Sequence, residues 1–256
     1  TLTKEEDIVN DLFITRNHNY LLFFTDKGKV YWLKAYMIPQ ASRYSKGKAL
    51  VNLLNLKDEK VNVILPIQNF DDQHYLLFAT KNGILKKTNL IKYSKQRKNG
   101  INAIKLRKND ELVQVRLTPG NLEFILATKN GLALRFNEDD VKEVNRNSIG
   151  VRGIRLYNNN VIGMEVALKT GSLLTVTENG YGKRTDIDEY RLIRRGGKGV
   201  INIQCSERNG KVVGIKTVKD EDEIMLISKN GIAIRILVKD ISKVGRNTQG
   251  VRLMKL

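Results

Sequence analysis

A single cysteine, Cys205, rules out an internal disulfide, and neither it nor the only two histidines, His18 and His74, sits in a Cys/His cluster at zinc-binding spacing. A reducing cytoplasm is the expected setting, and no metal is expected. No stretch approaches the ~18 consecutive apolar residues of a membrane helix, and the N-terminus lacks the charged-then-apolar pattern of a signal peptide. No membrane partner is expected. Only three prolines are present and no segment is rich in Pro or Ser, so no domain linker can be drawn. Acidic residues are in deficit: 27 Asp and Glu stand against 45 Lys and Arg, a net charge of +18. That surplus favours a polyanionic partner, nucleic acid ahead of an anionic membrane. With 256 residues, 41% of them hydrophobic, the chain can bury the core of one large all-β domain or two ordinary ones. It starts at Thr1 without a methionine and stops in the strand-like "GVRLMKL", so it is expected to be a piece of a longer protein.

What the chain has in abundance is self-similarity. "LLFFTDKGKVYWLK", "YLLFATKNGILKKT", "FILATKNGLALRF", "LLTVTENGYGKRT" and "IMLISKNGIAIRI" align on Gly28, Gly83, Gly131, Gly180 and Gly231, spaced 55, 48, 49 and 51 residues apart. In each, a β-prone run leads into Asn-Gly (Lys-Gly in the first) and a second β-prone run, the pattern of a tight hairpin turn that needs positive φ. A second glycine follows 17 to 19 residues later, at Gly47, Gly100, Gly150, Gly199 and Gly250, and opens a further strand. A fourth apolar strand, such as "VNVILPI" or "VVGIKTV", closes most repeats. Four strands per ~50 residues is the pattern of propeller blades. The units fall near 20–67, 75–118, 122–168, 172–218 and 223–256, and 1–19, with "IVNDLFIT" at 8–15, reads as the remnant of a preceding blade. Between hairpin and second glycine there is room for one helical turn at most.

The strings "ENGYGKRTDIDEYRLIRRGGKGVINI", "SERNGKVVGI", "VKDISKVGRNTQGVRL" and "QASRYSKGKALVNLL" resemble the C-terminal domain of the bacterial gyrase A protein, and the resemblance runs over essentially the whole chain. It implies a six-bladed β-pinwheel, a propeller in which neighbouring blades share strands, here with its first blade incomplete. It also implies double-stranded DNA as ligand, and the rest of gyrase A together with gyrase B as partners in an A2B2 enzyme that supercoils DNA. The isolated domain would be a non-catalytic monomer with no cofactor of its own, ATP and Mg serving elsewhere in a cytoplasmic, nucleoid-associated enzyme. The family's box, QRRGGKG, belongs to its first blade. "IRRGGKG", with Ile193 where the box has Gln, is read as a degenerate copy.

For DNA, the repeats align basic residues. Four positions before the second glycines stand Arg43, Gln96, Arg146, Arg195 and Arg246, with Arg97 one step later in the second. Four positions after the first glycines stand Trp32, Lys87, Arg135, Arg184 and Arg235. In a radial fold such positions would form a basic rim. The expected DNA contacts are Arg194, Arg195, Gly196, Gly197, Lys198 and Gly199, together with Arg43, Lys46, Lys48, Arg97, Lys98, Arg146, Arg152, Lys183, Arg184, Arg235, Arg246 and Arg252. Arginine forks match phosphate, and adjacent glycines let backbone N–H groups approach it. Phosphate contacts orient DNA without reading bases, so little sequence preference is expected. Trp32, Tyr31 and the other strand aromatics are expected in the core.

Enzymatic readings fail on spacing. "GGKG" is not a phosphate loop, since Leu192 stands where its first glycine is required and Gly199 where Ser or Thr is. "NGYGKRT" lacks the third glycine of a dinucleotide fingerprint. His18 and His74 have no repeated acidic partner, the acidic string Asp220 to Glu223 reads as a solvated loop, and Cys205 reads as packed. Two alternatives remain: the equivalent domain of topoisomerase IV, and a protein-interaction propeller, for which no WD or GH signature appears.

Overall fold

A computed structural model describes residues 14–42 and 47–256. Of the expected remnant strand, 8–13 fall outside the described residues, and Ile14 and Thr15 carry no strand. The chain divides into two compact units; of the described residues, 14–120 and 142–151 belong to one and 121–141 and 152–256 to the other.

Each of the five expected hairpins is present: β1 (Tyr20–Thr25) with β2 (Lys29–Lys34), β4 (Tyr75–Thr80) with β5 (Ile84–Asn89), β8 (Glu123–Thr128) with β9 (Leu132–Asn137), β12 (Ser172–Thr177) with β13 (Tyr181–Asp186), and β16 (Glu223–Ile227) with β17 (Ala233–Leu237). The closing strands are β3 (Val61–Ile67), β7 (Leu112–Thr118), β11 (Val161–Val166) and β15 (Val212–Val218), and each pairs with the first hairpin strand of its own repeat. The short strands after the second glycines are β6 (Ile101–Asn102), β10 (Val151–Arg152), β14 (Val200–Ile201) and β18 (Val251–Arg252). These cross to the preceding repeat: the sheets run β3-β1-β2-β6, β10-β5-β4-β7, β11-β8-β9-β14 and β15-β12-β13-β18, with β16-β17 as a fifth, two-stranded sheet. The chain is therefore all-β and of the strand-sharing propeller kind. A single 3-10 turn follows each second hairpin strand, as at Leu90–Tyr93 and Ile187–Glu189.

The two glycines of a repeat serve this exchange. The carbonyl of Gly131, in the β8–β9 turn, accepts from the N–H groups of Asn202 and Ile203 just beyond β14, at 2.8 and 3.2 Å. At φ +84° it lies so close beneath that strand that a Cβ would stand 2.2 Å from the Ile203 oxygen. Gly199, at φ +81°, lays the incoming chain on the edge of β9, where a Cβ would stand 2.6 Å from the Ala133 oxygen.

Burial explains the uninterrupted apolar runs. In the four-stranded sheets the first hairpin strands are central, with both faces covered, so "LLFF" and "YLLFAT" do not alternate. In the first unit Leu22, Phe24, Leu76, Phe78 and Tyr93 form one core and Leu21, Phe23, Tyr31 and Leu33 another. In the second, Ile125, Leu173, Ile187 and Tyr190 form one, and Leu174, Val218, Val238 and Ile241 another. Side chains from the loops preceding the closing strands lock the hairpin turns: Thr25 Oγ1 donates to Glu59 at 2.8 Å, Thr80 Oγ1 to Asp110 at 2.7 Å, and Asn159 Nδ2 to Thr128 Oγ1 at 2.9 Å. Burial alone would raise the Glu59 carboxyl, but hydrogen bonds from Tyr31, Thr25 and Lys29 hold it below the usual carboxylate range.

Candidate nucleic-acid interface

The loops that precede Gly150, Gly199 and Gly250 are built alike. Each begins with a parallel bridge to the second strand of the preceding hairpin, Lys87 with Glu143, Arg135 with Leu192 and Arg184 with Lys243. Each is then held by an N–H from the preceding repeat: Lys105 N to Ser148 O at 3.1 Å, Arg155 N to Gly197 O at 2.8 Å and Gln204 N to Thr248 O at 2.9 Å. On this common backbone the aligned arginines also repeat their contacts. One guanidinium nitrogen of Arg146 donates to Asn102 O at 3.1 Å, of Arg195 to Arg152 O at 3.2 Å, and of Arg246 to Ile201 O at 2.9 Å. Asn102, Arg152 and Ile201 are each two residues after a second glycine, so the arginine row staples one exchanged strand to the next loop. Arg195 Nε adds a bond to Asp140 O at 2.6 Å.

Around these staples the loops present cations to solvent. Arg194 is 87% exposed, its Nε 3.7 Å from Asp140. Lys198 is exposed, with its Nζ 5.8 Å from the centre of the Tyr157 ring, itself 66% exposed. Gly196 (φ +83°) and Gly197, between Arg194 and Lys198, are half-buried. In the first unit Lys48, Arg97 and Lys98 are exposed; in the second, Arg152 and Arg252 are, Arg252 donating to Tyr181 Oη at 2.9 Å. Arg43 and Lys46 lie outside the described residues.

The second basic row, four positions after the turn glycines, is a different matter. Arg184 is buried, and its cation is consumed internally, by Asp220 and by the carbonyls of Ile241 at 2.7 Å and Lys239 at 3.3 Å. Lys183 is fully buried and donates to Gly245 O and Arg246 O at 2.6 and 2.8 Å. These two expected DNA contacts are corrected to framework residues, because DNA cannot reach a side chain already enclosed by its own carbonyl partners. The same position elsewhere is also inward: Arg135 pairs with Glu123 at 2.6 Å and donates to the carbonyls of Ile187 and Tyr190, and Lys87 is buried. Arg235 remains at the surface, paired with Glu223.

Comparison with known proteins decides the family. The family model described as "DNA gyrase C-terminal domain, beta-propeller" matches residues 19–67, 74–119, 122–162, 171–219 and 222–256, one segment per repeat. The chain belongs to the DNA gyrase C-terminal domain family. The DNA gyrase A protein of Clostridium acetobutylicum is 50% identical over 255 residues, 99% of this chain and 31% of that protein. Gyrase A of Staphylococcus epidermidis is 44% identical over 259 residues, 99% of this chain and 29% of its own length. The chain thus spans about a third of the curated relatives it matches. Among solved structures, a DNA gyrase A C-terminal domain superposes with a TM-score of 0.84 at 29% identity, covering 94% of this chain and 80% of that one. The C-terminal domain of a DNA topoisomerase IV gives 0.84 and 29%, covering 93% and 76%.

Within this gyrase-type domain, one basic row escaped the sequence reading. Lys105, Arg155 and Lys255 are exposed five residues after their second glycines, with Asn52 and Gln204 the exceptions. The signal was available in "GINAIK", "GVRGIR" and "GVRLMK". Among the described residues no cluster of His, Cys, Asp or Glu could hold a metal ion, and no helix is long and apolar enough to cross a membrane. Cys205 is half-buried, and burial raises its thiol above the ordinary range.

Proposed function

We propose that this chain is the DNA-wrapping domain of a bacterial gyrase A protein. It binds duplex DNA through phosphates with little sequence preference and bends it, so that the cytoplasmic A2B2 enzyme passes strands with one handedness. The cleavage tyrosine, ATP and Mg belong to the remainder of gyrase A and to gyrase B; this domain holds no cofactor. The observation that carries the reading is the loop before Gly150, Gly199 and Gly250, held by the same backbone bonds in successive repeats and flanked by outward cations such as Arg194, Lys198 and Arg152. A chemistry of phosphate contacts and DNA deformability suffices for wrapping without base readout. The two solved structures, equal in TM-score, do not separate gyrase from topoisomerase IV, whereas the 40–50% identities to gyrase A proteins favour the former.

The test is ligation of nicked circular DNA in the presence of the chain over a salt series, with the linking-number change read on a gel. The expected result is a topoisomer shift that fades with salt. If about eight phosphates are engaged, log K falls with log salt at a slope near −7. Binding without a shift refutes wrapping by this chain, and no binding refutes the reading of its charge.

A further inference from the structure

Two lysines in the protein interior have their ammonium groups on the main chain of the loops just described. They lie three residues after the turn glycines Gly83 and Gly180. Lys86 Nζ donates to Ala103 O at 2.5 Å and to Arg146 O at 2.9 Å, with Tyr93 Oη at 3.4 Å. Lys183 Nζ donates to Gly245 O and Arg246 O at 2.6 and 2.8 Å. Both lysines are fully buried. Two positions on, a threonine adds a second grip: Thr88 Oγ1 donates to Val144 O at 2.9 Å and Thr185 Oγ1 to Val244 O at 2.7 Å.

The repeat between them seats its loop in another way. The equivalent residues are Leu134 and Phe136, both fully buried and apolar. Facing them is the loop from Arg194 to Gly199, in which a Cβ on Gly197 would stand 3.5 Å from Leu134 Cδ1, an ordinary van der Waals contact. An apolar side chain stands where the other two repeats have an ammonium. The loops "NRNSIG" and "GRNTQG", which have Asn147-Ser148 and Asn247-Thr248 where the loop seated on the third repeat has Gly196-Gly197, are tethered by an ammonium. Lys86 and Lys183 thus hold the carbonyl of the very residue, Arg146 or Arg246, whose half-buried side chain bonds an exchanged strand beside the exposed cations of the candidate interface. A buried ammonium on two carbonyls allows that peptide one orientation, and so fixes where the guanidinium starts.

We propose that Lys86 and Lys183 are positioning residues for DNA binding: from inside the sheet they set the loops that present Arg146 and Arg246 to phosphate. This rests on the DNA-binding function proposed above. A lysine that touches no phosphate nevertheless controls how many phosphates are engaged.

The experiment compares the wild-type chain with Lys86→Met and Lys183→Met in binding to a labelled linear duplex over a salt series, with folding of each checked by circular dichroism. Lys57→Ser, an exposed charge removed away from the loops, is the control for net charge. Each Met variant is expected to bind several-fold more weakly, with the salt slope smaller in magnitude by about one, the contribution of one phosphate contact. Lys57→Ser keeps the wild-type slope. A variant in which the second repeat takes the solution of the third, Lys86→Leu with Thr88→Phe, Asn147→Gly and Ser148→Gly, is expected to restore the slope although the lysine is gone. A Met variant that melts earlier but binds with unchanged affinity and slope overturns the inference, as does a graft that fails to restore binding while folding normally. Wild-type protein that binds no duplex overturns this inference and the proposed function together. Wild-type binding with unaffected variants overturns this inference alone.

Discussion

Replacing Gly131 by alanine tests whether strand exchange holds the repeats together. The substitution asks an L-residue to adopt φ +84°, which costs roughly 1–2 kcal/mol. It also drives a Cβ to 2.2 Å from the Ile203 oxygen, a backbone atom that can move only if the chain leaving β14 lifts away. The two N–H bonds from Asn202 and Ile203 to the Gly131 carbonyl would be lost or stretched, at about 1 kcal/mol each. The sum is about 3–4 kcal/mol, and at about 2–4 °C per kcal/mol for a chain of this size the melting midpoint should fall by about 10 °C. Gly214→Ala in β15 is the control, since a Cβ there meets nothing within 4 Å. Thermal melts followed by far-ultraviolet circular dichroism give the comparison. The contact distances also predict a ranking. Gly180→Ala, with 2.3 Å to the Met254 oxygen, should resemble Gly131→Ala, and Gly28→Ala, with 2.8 Å to the Ile104 oxygen, should be milder. A Gly131→Ala midpoint within about 2 °C of wild type, or a Gly214→Ala midpoint that drops as far, would refute the argument.

Arg135→Met should destabilise the protein by about 3 kcal/mol, because it strips the partner from Glu123 in a largely buried pair. It should leave duplex affinity unchanged in the fraction that is folded. Arg194→Ser should do the reverse: stability within about 0.5 kcal/mol, weaker binding, and a salt slope smaller by about one. Urea unfolding and duplex titrations on the same samples check both. Stability should also rise with pH above neutrality. Burial, reinforced by the neighbouring Arg146, pushes Lys86 down to about 7; burial pushes Lys183 to about 8, against an opposing pull from Glu189. Unfolded, both lysines titrate near 10.5, so between these values the unfolded chain binds more protons and each rise in pH favours the folded state. The gain is complete near the unfolded value and is lost as pH falls through 8 and then 7. Urea midpoints across this range should climb, and the climb should be shallower in Lys86→Met; a flat wild-type profile would refute the burial of these charges.

The repeat, the hairpins and the approximate unit boundaries were legible because they rest on local chemistry. Asn-Gly declares a turn, apolar runs declare buried strands, and alignment on Gly28, Gly83, Gly131, Gly180 and Gly231 gives the period. The strand exchange was legible only through resemblance. Nothing in "GVRGIRL" or "GVINIQ" tells whether the strand pairs with its own hairpin or the preceding one; the decision lies in Gly131 and Gly199, which look like any other turn glycines until their neighbours are known. The burial of Lys183, Arg184 and Arg135 was illegible for a related reason. Their partners are main-chain carbonyls some fifty to sixty residues away, such as Ile187, Gly245 and Ile241, and a carbonyl has no letter in a sequence. One hint was present. A cation in the middle of a strand that pairs with an almost wholly buried central strand, as in "LLTVT" beside "YGKRT", has little water to face on either side.

The row at Arg146, Arg195 and Arg246 shows why stability and binding should be entangled in this domain. Each arginine spends part of its fork on the carbonyl of an exchanged strand, at Asn102, Arg152 or Ile201. The exchange therefore brings the guanidinium to the loop surface, and anything that loosens β6, β10 or β14 moves the cation as well. Removing one of these arginines would confound lost phosphate contact with a lost staple, so a weak-binding variant in this row says little by itself. Arg194 and Lys198 differ because their side chains project from the same loop without bonding to an exchanged strand. They are where charge can be removed at small structural cost, and Lys86 and Lys183 are where structure can be altered without removing a surface charge. Affinity lost at both kinds of position, with the salt slope reduced in each, would require that the loop be ordered before DNA arrives. In that case the interior of the sheet is part of the binding site.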